Sequence, residues 1–183
     1  MLEKYLIAHC APTLAGIKTG NLFRYRYHSE DELKMEIEET NKKLINKGIC
    51  LEILKTGYSD ALILAYRPVR LSADFSKPGA EKFLKGVGYT GTDTQYAILK
   101  LKEQFSKRSD FPHEIGLFLG YPLEDVIGFI ENGGQNSRCA GCWKVYCDEQ
   151  EAEKRFRRYQ KCRDVYCRMF AQGCSISKLA VAV

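Results

Sequence analysis

Apolar positions along this chain follow two periods, and the switches between them mark out its elements. Leu33, Ile37, Leu44 and Ile45 recur at helical spacing and share one face. Ser29 with Glu32 forms a capping box ahead of that stripe, and Gly48 follows it, so the pattern predicts a helix running to about Asn46. Upstream, a short helical pattern gives way to a glycine-punctuated segment over residues 12–21. Leu22-Phe23-Arg24-Tyr25-Arg26-Tyr27 then alternates aromatic against basic, the signature of a half-buried strand. Two apolar runs, 49–55 and 61–66, flank Thr56-Gly57-Tyr58-Ser59-Asp60 and predict a β-hairpin.

The middle of the chain reads as helical. Residues 78–85 form one short segment, and Thr92 with Gln95 caps a longer one ending near Arg108. Pro122 opens a helix with a stripe at Val126, Ile127 and Ile130, closed by Asn132-Gly133-Gly134. Residues 143–147 make a short strand candidate. Asp148 with Glu151 caps a long final helix that ends at Gly173, and the tail 175–183 reads as a last strand or a docked helix end. No internal repeat and no linker interrupts this order. The expected fold is a single α/β domain over residues 1–183, with a small mixed sheet flanked by helices and a long C-terminal helix.

Composition narrows the class without naming a function. With 183 residues, 45% hydrophobic and 28% charged, the chain has the makings of a packed core and not of a disordered segment. Its 15 glycines and 5 prolines are dispersed, which excludes collagen-like and low-complexity classes. No stretch reaches the ~18 apolar residues of a membrane span, and Glu3 and His9 break up the short apolar start that a secretory signal needs. The expected setting is the cytoplasm, with no membrane partner. A net charge of +5 tilts the balance mildly toward acidic partners.

Eight cysteines are many for a cytoplasmic chain, and six lie at or beyond Cys139. Cys139-x2-Cys142-x4-Cys147 opens with the spacing of a zinc knuckle, in which a tight turn presents thiolates together. The pattern then departs: Cys147 stands where a knuckle has His, Ala152 stands where it has its last Cys, and no second CxxC follows. Cys162 and Cys167 are five apart, about 140° around a helix, and do not chelate together. Two readings stay open. Zinc or iron is held by Cys139, Cys142 and Cys147, or by the first two with a helical cysteine. Alternatively these are unligated thiols acting as small hydrophobes.

Gly86-Val87-Gly88-Tyr89-Thr90-Gly91 matches GxGxxG, but a dinucleotide site needs a strand in front and this segment follows a helix. Leu84-Lys85-Gly86-Val87-Gly88 resembles the hairpin of a helix-hairpin-helix module, whose backbone amides meet nucleic-acid phosphates. Thr92 stands where that module has a small apolar residue, and a helix-stop glycine followed by a turn accounts for the segment equally well. The final helix adds basic residues, seven against three acidic between Glu151 and Arg168, with Arg155 and Arg158 among them. Ala152, Phe156, Tyr159, Tyr166 and Phe170 form its apolar stripe, so the default reading of the basic side is a solvated face.

Lys18-Thr19 is not a phosphate loop, because Ile17 and Pro12 occupy the glycine positions. Lys18 nevertheless joins His9-Cys10 and His113-Glu114 as the candidate ligand-binding set. A Cys beside a His is a candidate activated thiolate, and His with Glu a candidate proton-transfer pair.

His9-Cys10-Ala11-Pro12-Thr13-Leu14-Ala15-Gly16-Ile17-Lys18, with Leu22-Phe23, resembles the opening of domain-of-unknown-function family 3793. Phe111-Pro112-His113-Glu114-Ile115-Gly116 and Gly120-Tyr121-Pro122-Leu123-Glu124-Asp125-Val126 are similar to its central motif, and Cys142-Trp143-Lys144-Val145-Tyr146 with the following helix completes the likeness. The resemblance implies a protein of anaerobic Gram-positive bacteria and a reducing habitat in which free thiols survive. It implies no catalytic residue. The leading functional expectation is an accessory protein that binds a metal, cofactor or small ligand in redox metabolism. The alternative is a nucleic-acid-binding module using Gly86, Gly88, Arg155 and Arg158. A third is an enzyme with Cys10 as nucleophile.

Overall fold

The computed structural model describes residues 1–182; Val183, the last residue of the tail, lies outside them. In chain order the elements are α1 (Leu2–Leu14), β1 (Gly20–Arg26), α2 (Glu30–Leu44), β2 (Cys50–Thr56), β3 (Asp60–Tyr66), α3 (Pro68–Phe75), α4 (Ala80–Gly86) and α5 (Thr94–Lys107). There follow α6 (Ile115–Phe118), α7 (Leu123–Glu131), β4 (Cys139–Ala140), β5 (Lys144–Val145), α8 (Glu149–Ala171) and α9 (Ile176–Leu179). This is the expected α/β class with a small sheet and a long C-terminal helix.

The main sheet has the order β1-β3-β2, and both pairings are antiparallel. It is therefore antiparallel throughout, where a mixed sheet was expected. The tight connection after Thr56 folds β3 back on β2, and β1 takes the other edge of β3. β1 and β2 are joined through α2 without touching. Central β3 reads Asp60-Ala61-Leu62-Ile63-Leu64-Ala65-Tyr66, almost wholly apolar, because both of its faces are covered. Ala61, Ile63 and Ala65 face a core shared with α1, α2 and α9, whereas Leu62, Leu64 and Tyr66 face a second core shared with α3 to α6.

Local chemistry explains the helix ends. The Ser29 side chain accepts a hydrogen bond from Glu32 N at 3.2 Å, and Asp148 accepts from Glu151 N at 3.0 Å, as the capping patterns predict. The cap of α5 is Asp93, which accepts from Tyr96 N at 2.9 Å; Thr92, expected in that place, lies one residue outside. The tail docks as the short helix α9. Tyr166 of α8 donates to Leu179 O at 2.9 Å, and α8 lies across α1 with Tyr166 and Phe170 on the first core. Among the described residues, no helix is long and apolar enough to cross a membrane.

A third, smaller cluster matters most for function. Trp143 and Val145 of the β4–β5 ribbon pack with Ala152 and Tyr159 of α8, beside Tyr121 and Phe156. Gly141 in the ribbon's turn lies so close to Phe156 that an added Cβ would stand 2.3 Å from the ring. The ribbon is thereby pressed onto α8 and walls one side of a cleft.

Candidate functional site

The cleft lies where α1, the start of β1, α6, α7, the β4–β5 ribbon and α8 meet, and encloses about 710 Å³. That is within the size range of small-molecule sites. Leu22, Phe111, Tyr121, Phe129 and Trp143 give it an apolar, aromatic lining. Lys18, Lys144, Arg163, His9 and His113 open into it from several directions.

Lys18 reaches the cleft through a local backbone device. Pro12 lies within α1, and its carbonyl accepts from both Ile17 N (3.0 Å) and Lys18 N (3.1 Å). Gly16 in the left-handed region (φ +70°) turns the chain back under the helix. Pro12 has no N–H to offer the Ala8 carbonyl one turn earlier, and both residues border the cleft. The chain then enters β1 at Gly20, whose Cα is packed so tightly that a Cβ would meet Phe118 O at 2.8 Å.

The Lys18 side chain is 5% exposed. Its Nζ donates to Gly20 O and stands 5.2 Å from the centroid of the Tyr121 ring, an attractive cation–π geometry. It has no carboxylate partner among the described residues. Burial pulls its pKa from 10.5 down to about 8, opposed by the nearby Cys10 and Cys142 thiols.

The structure divides the other sequence candidates. His9 lines the cleft, with its ring parallel to Phe23 at 6.1 Å between centroids, and His113 does so against Phe129 at 4.9 Å. Cys10 faces the core at 0% exposure, and burial drives its thiol pKa upward, the reverse of nucleophile activation. Glu114 is buried, 3.5 Å from Arg108 and beside Tyr89, and does not line the cleft that the exposed His113 borders, so the two neighbours do not form a proton-transfer pair there.

The cysteine cluster is explained by the ribbon. Cys139 pairs with Val145 across the β4–β5 ladder and lies near Glu149 and Glu153. Cys147 is beside Asp125, while Cys142 at the turn lies near Lys18 and Arg163. Cys139, Cys142 and Cys147 do not converge: among the described residues, no group of three or more His, Cys, Asp or Glu side chains is placed to hold a metal ion. Burial raises all three thiol pKa values.

The nucleic-acid candidates separate as well. Gly86 ends α4, Gly88 takes a positive φ of 96°, and Tyr89 is tucked into the second core, which is a helix-stop turn. Arg155 is tied to Glu151 at 3.2 Å, and Arg158 is exposed on α8. The turn belongs to the layer on one face of the sheet and α8 to the layer on the other, so the four residues do not form one surface.

Two parts of the site escaped the sequence reading. Asp125, buried in the first turn of α7, accepts from Trp143 Nε1 at 2.7 Å, Tyr146 N at 2.7 Å and Cys147 N at 3.0 Å, and so ties the ribbon to the cleft. A lone tryptophan in a short polar strand signals the need for such an acceptor, though not which one. Arg163 is the other; one basic residue among seven, it alone of them enters the cleft.

Neither the curated proteins nor the solved structures include a match to this chain. Residues 6–180 match the family model described as Protein of unknown function (DUF3793), and the chain belongs to that family.

Proposed function

We propose that the cleft binds a small organic anion, a carboxylate or phosphate attached to a flat apolar body. The observation that carries this reading is the imbalance of charge in an apolar site. Lys18, Lys144 and Arg163 line it, while its one lining carboxylate, Asp125, is already committed to three N–H donors. In a low-dielectric cleft an unanswered cation attracts an anion far more strongly than on the surface. Tyr121 and Trp143, stacked at 4.8 Å, offer the flat wall on which an aromatic or unsaturated ligand would lie.

In this reading the protein is a ligand-binding accessory protein, and its link to redox metabolism is part of the proposal. Its eight cysteines are all unbridged, which fits the reducing interior of a cell as its setting. Isothermal titration calorimetry with phenylacetate and phenyl phosphate tests the reading. Saturable binding that weakens with added salt is expected for at least one of them. A flat titration with both removes the anion site.

A further inference from the structure

We propose that Lys18 is a carbonyl-capturing amine, forming an imine with a 2-oxo acid whose carboxylate lies against Arg163 and whose apolar group lies on the aromatic wall. The inference rests on the anion-binding reading above and adds a covalent step to it.

Of the two buried cations among the described residues, Lys18 is held by far less than Arg67. Arg67 donates to four backbone carbonyls, and Asp125 accepts from three N–H groups. Asp74 is met by the Thr19 hydroxyl and by Lys77 at 2.6 Å, whereas Glu114 has, among the described residues, only Arg108 at 3.5 Å and lies away from the cleft lining. An ammonium group has three donors, and Lys18 uses one of them on a protein oxygen. The remainder of its surroundings is an aromatic face and a cleft. A buried amine without a carboxylate costs stability unless a ligand answers it, and this amine sits where a ligand can reach it.

The site also meets the chemical needs of an imine. Attack requires the neutral amine, and a lysine held near pKa 8 has about one molecule in ten neutral at pH 7, against well under one in a thousand for an exposed lysine. The Nζ lone pair forms a bond to the ketone carbon, and the ketone oxygen takes up a proton to give a carbinolamine. That hydroxyl then leaves as water when a second proton reaches it, and the nitrogen retains one proton as the iminium. The balance is ammonium plus ketone to iminium plus water, with no oxidant or reductant. His9 and His113 open into the same space and are the groups that can pass these protons. Lys18 and Arg163 both act on the Cys142 thiol, so the two cations lie near one sulfur. A carbonyl and a carboxylate on adjacent carbons suit such a pair.

The test uses the full chain with phenylpyruvate as probe. One sample is titrated calorimetrically, and a second is treated with borohydride and mapped by peptide mass spectrometry. The expected result is one reduced adduct on the Lys18 peptide, at least about tenfold above any other lysine, given the difference in neutral amine. Lys18→Met should lose it, and Arg163→Gln, an exposed change that leaves the core intact, should lower its yield by about tenfold. Saturable binding with no Lys18 adduct, or adducts spread evenly over the lysines, overturns the imine while leaving the anion site standing. No binding and no adduct overturns both. An unchanged yield in Arg163→Gln overturns the role given to Arg163.

Discussion

Arg67 and Lys18 are two buried cations at the same end of the sheet, and their surroundings differ sharply. Gly20 pairs with Tyr66 across β1 and β3, and Arg67 N donates to Thr19 O at 2.9 Å, so the two residues emerge side by side. Arg67 is 2% exposed, and its guanidinium donates to Thr13 O, Leu14 O, Lys47 O and Val181 O at 2.7–2.8 Å. It joins the end of α1, the turn after α2 and the C-terminal tail to the end of β3, and no carboxylate is involved. Lys18, equally buried, meets one carbonyl and a ring. Burial alone therefore says little about the role of a charged side chain. The count of satisfied donors separates a structural clamp from a group held ready.

The sharpest way to break this comparison is to remove the clamp. Arg67→Met leaves four carbonyls from distant segments without their donor, and is expected to destabilise the fold by about 3–5 kcal/mol in urea denaturation. A loss below about 1 kcal/mol would mean that water replaces the guanidinium and that Arg67 is no more structural than Lys18.

Next comes Lys18→Met, whose effect depends on pH. Folding lowers the Lys18 pKa from 10.5 to about 8, so between those values the unfolded chain holds more protons and wild-type stability gains as pH rises. Below pH 8 the full penalty for the buried charge is present. Replacing the lysine relieves it, and the variant's advantage should be largest near pH 7 and shrink by roughly 3 kcal/mol by pH 10.5. Cys10 and Cys142 are coupled to Lys18, so their own titrations also change when the lysine is replaced. The difference between the two melting profiles reads the lysine together with its coupling to those thiols, and a difference flat with pH would show that the amine is not held as described.

The smallest of the three effects belongs to Asp125→Asn. The amide keeps an acceptor but loses the charge and turns an N–H toward one of three donors, at a cost of about 1–3 kcal/mol. Because Asp125 fixes the ribbon, ligand binding in the cleft should weaken along with stability, which Arg67→Met is not expected to do in the fraction that remains folded. Calorimetry on the purified variant checks this.

Much of the scaffold was legible because it is written in local chemistry. The Ser29 and Asp148 caps, the alternation in β1 and the turn between β2 and β3 depend on residues within a few positions of one another. The eight-residue α3, opened by Pro68 directly after a strand, and the four-residue α6 were not legible, since neither is long enough to show a period. The site was half legible. His9, Lys18 and His113 were chosen by residue type and do meet in one cleft. Their neighbours Cys10 and Glu114 face elsewhere, Cys10 because adjacent positions on a helix point about 100° apart. Asp125, Cys142 and Arg163 come to share the cleft with Lys18 from more than a hundred residues away, and no local pattern announces that.

The position of Trp143 has an optical consequence. It is the chain's one tryptophan, its ring stacked on Tyr121, met edge-on by Phe156 at 4.6 Å and hydrogen-bonded to Asp125. All indole emission from this protein therefore originates in the wall of the cleft. Its wavelength and intensity report the polarity of that one wall, and any occupant that touches the ring or loosens the ribbon should be visible by fluorescence without a label.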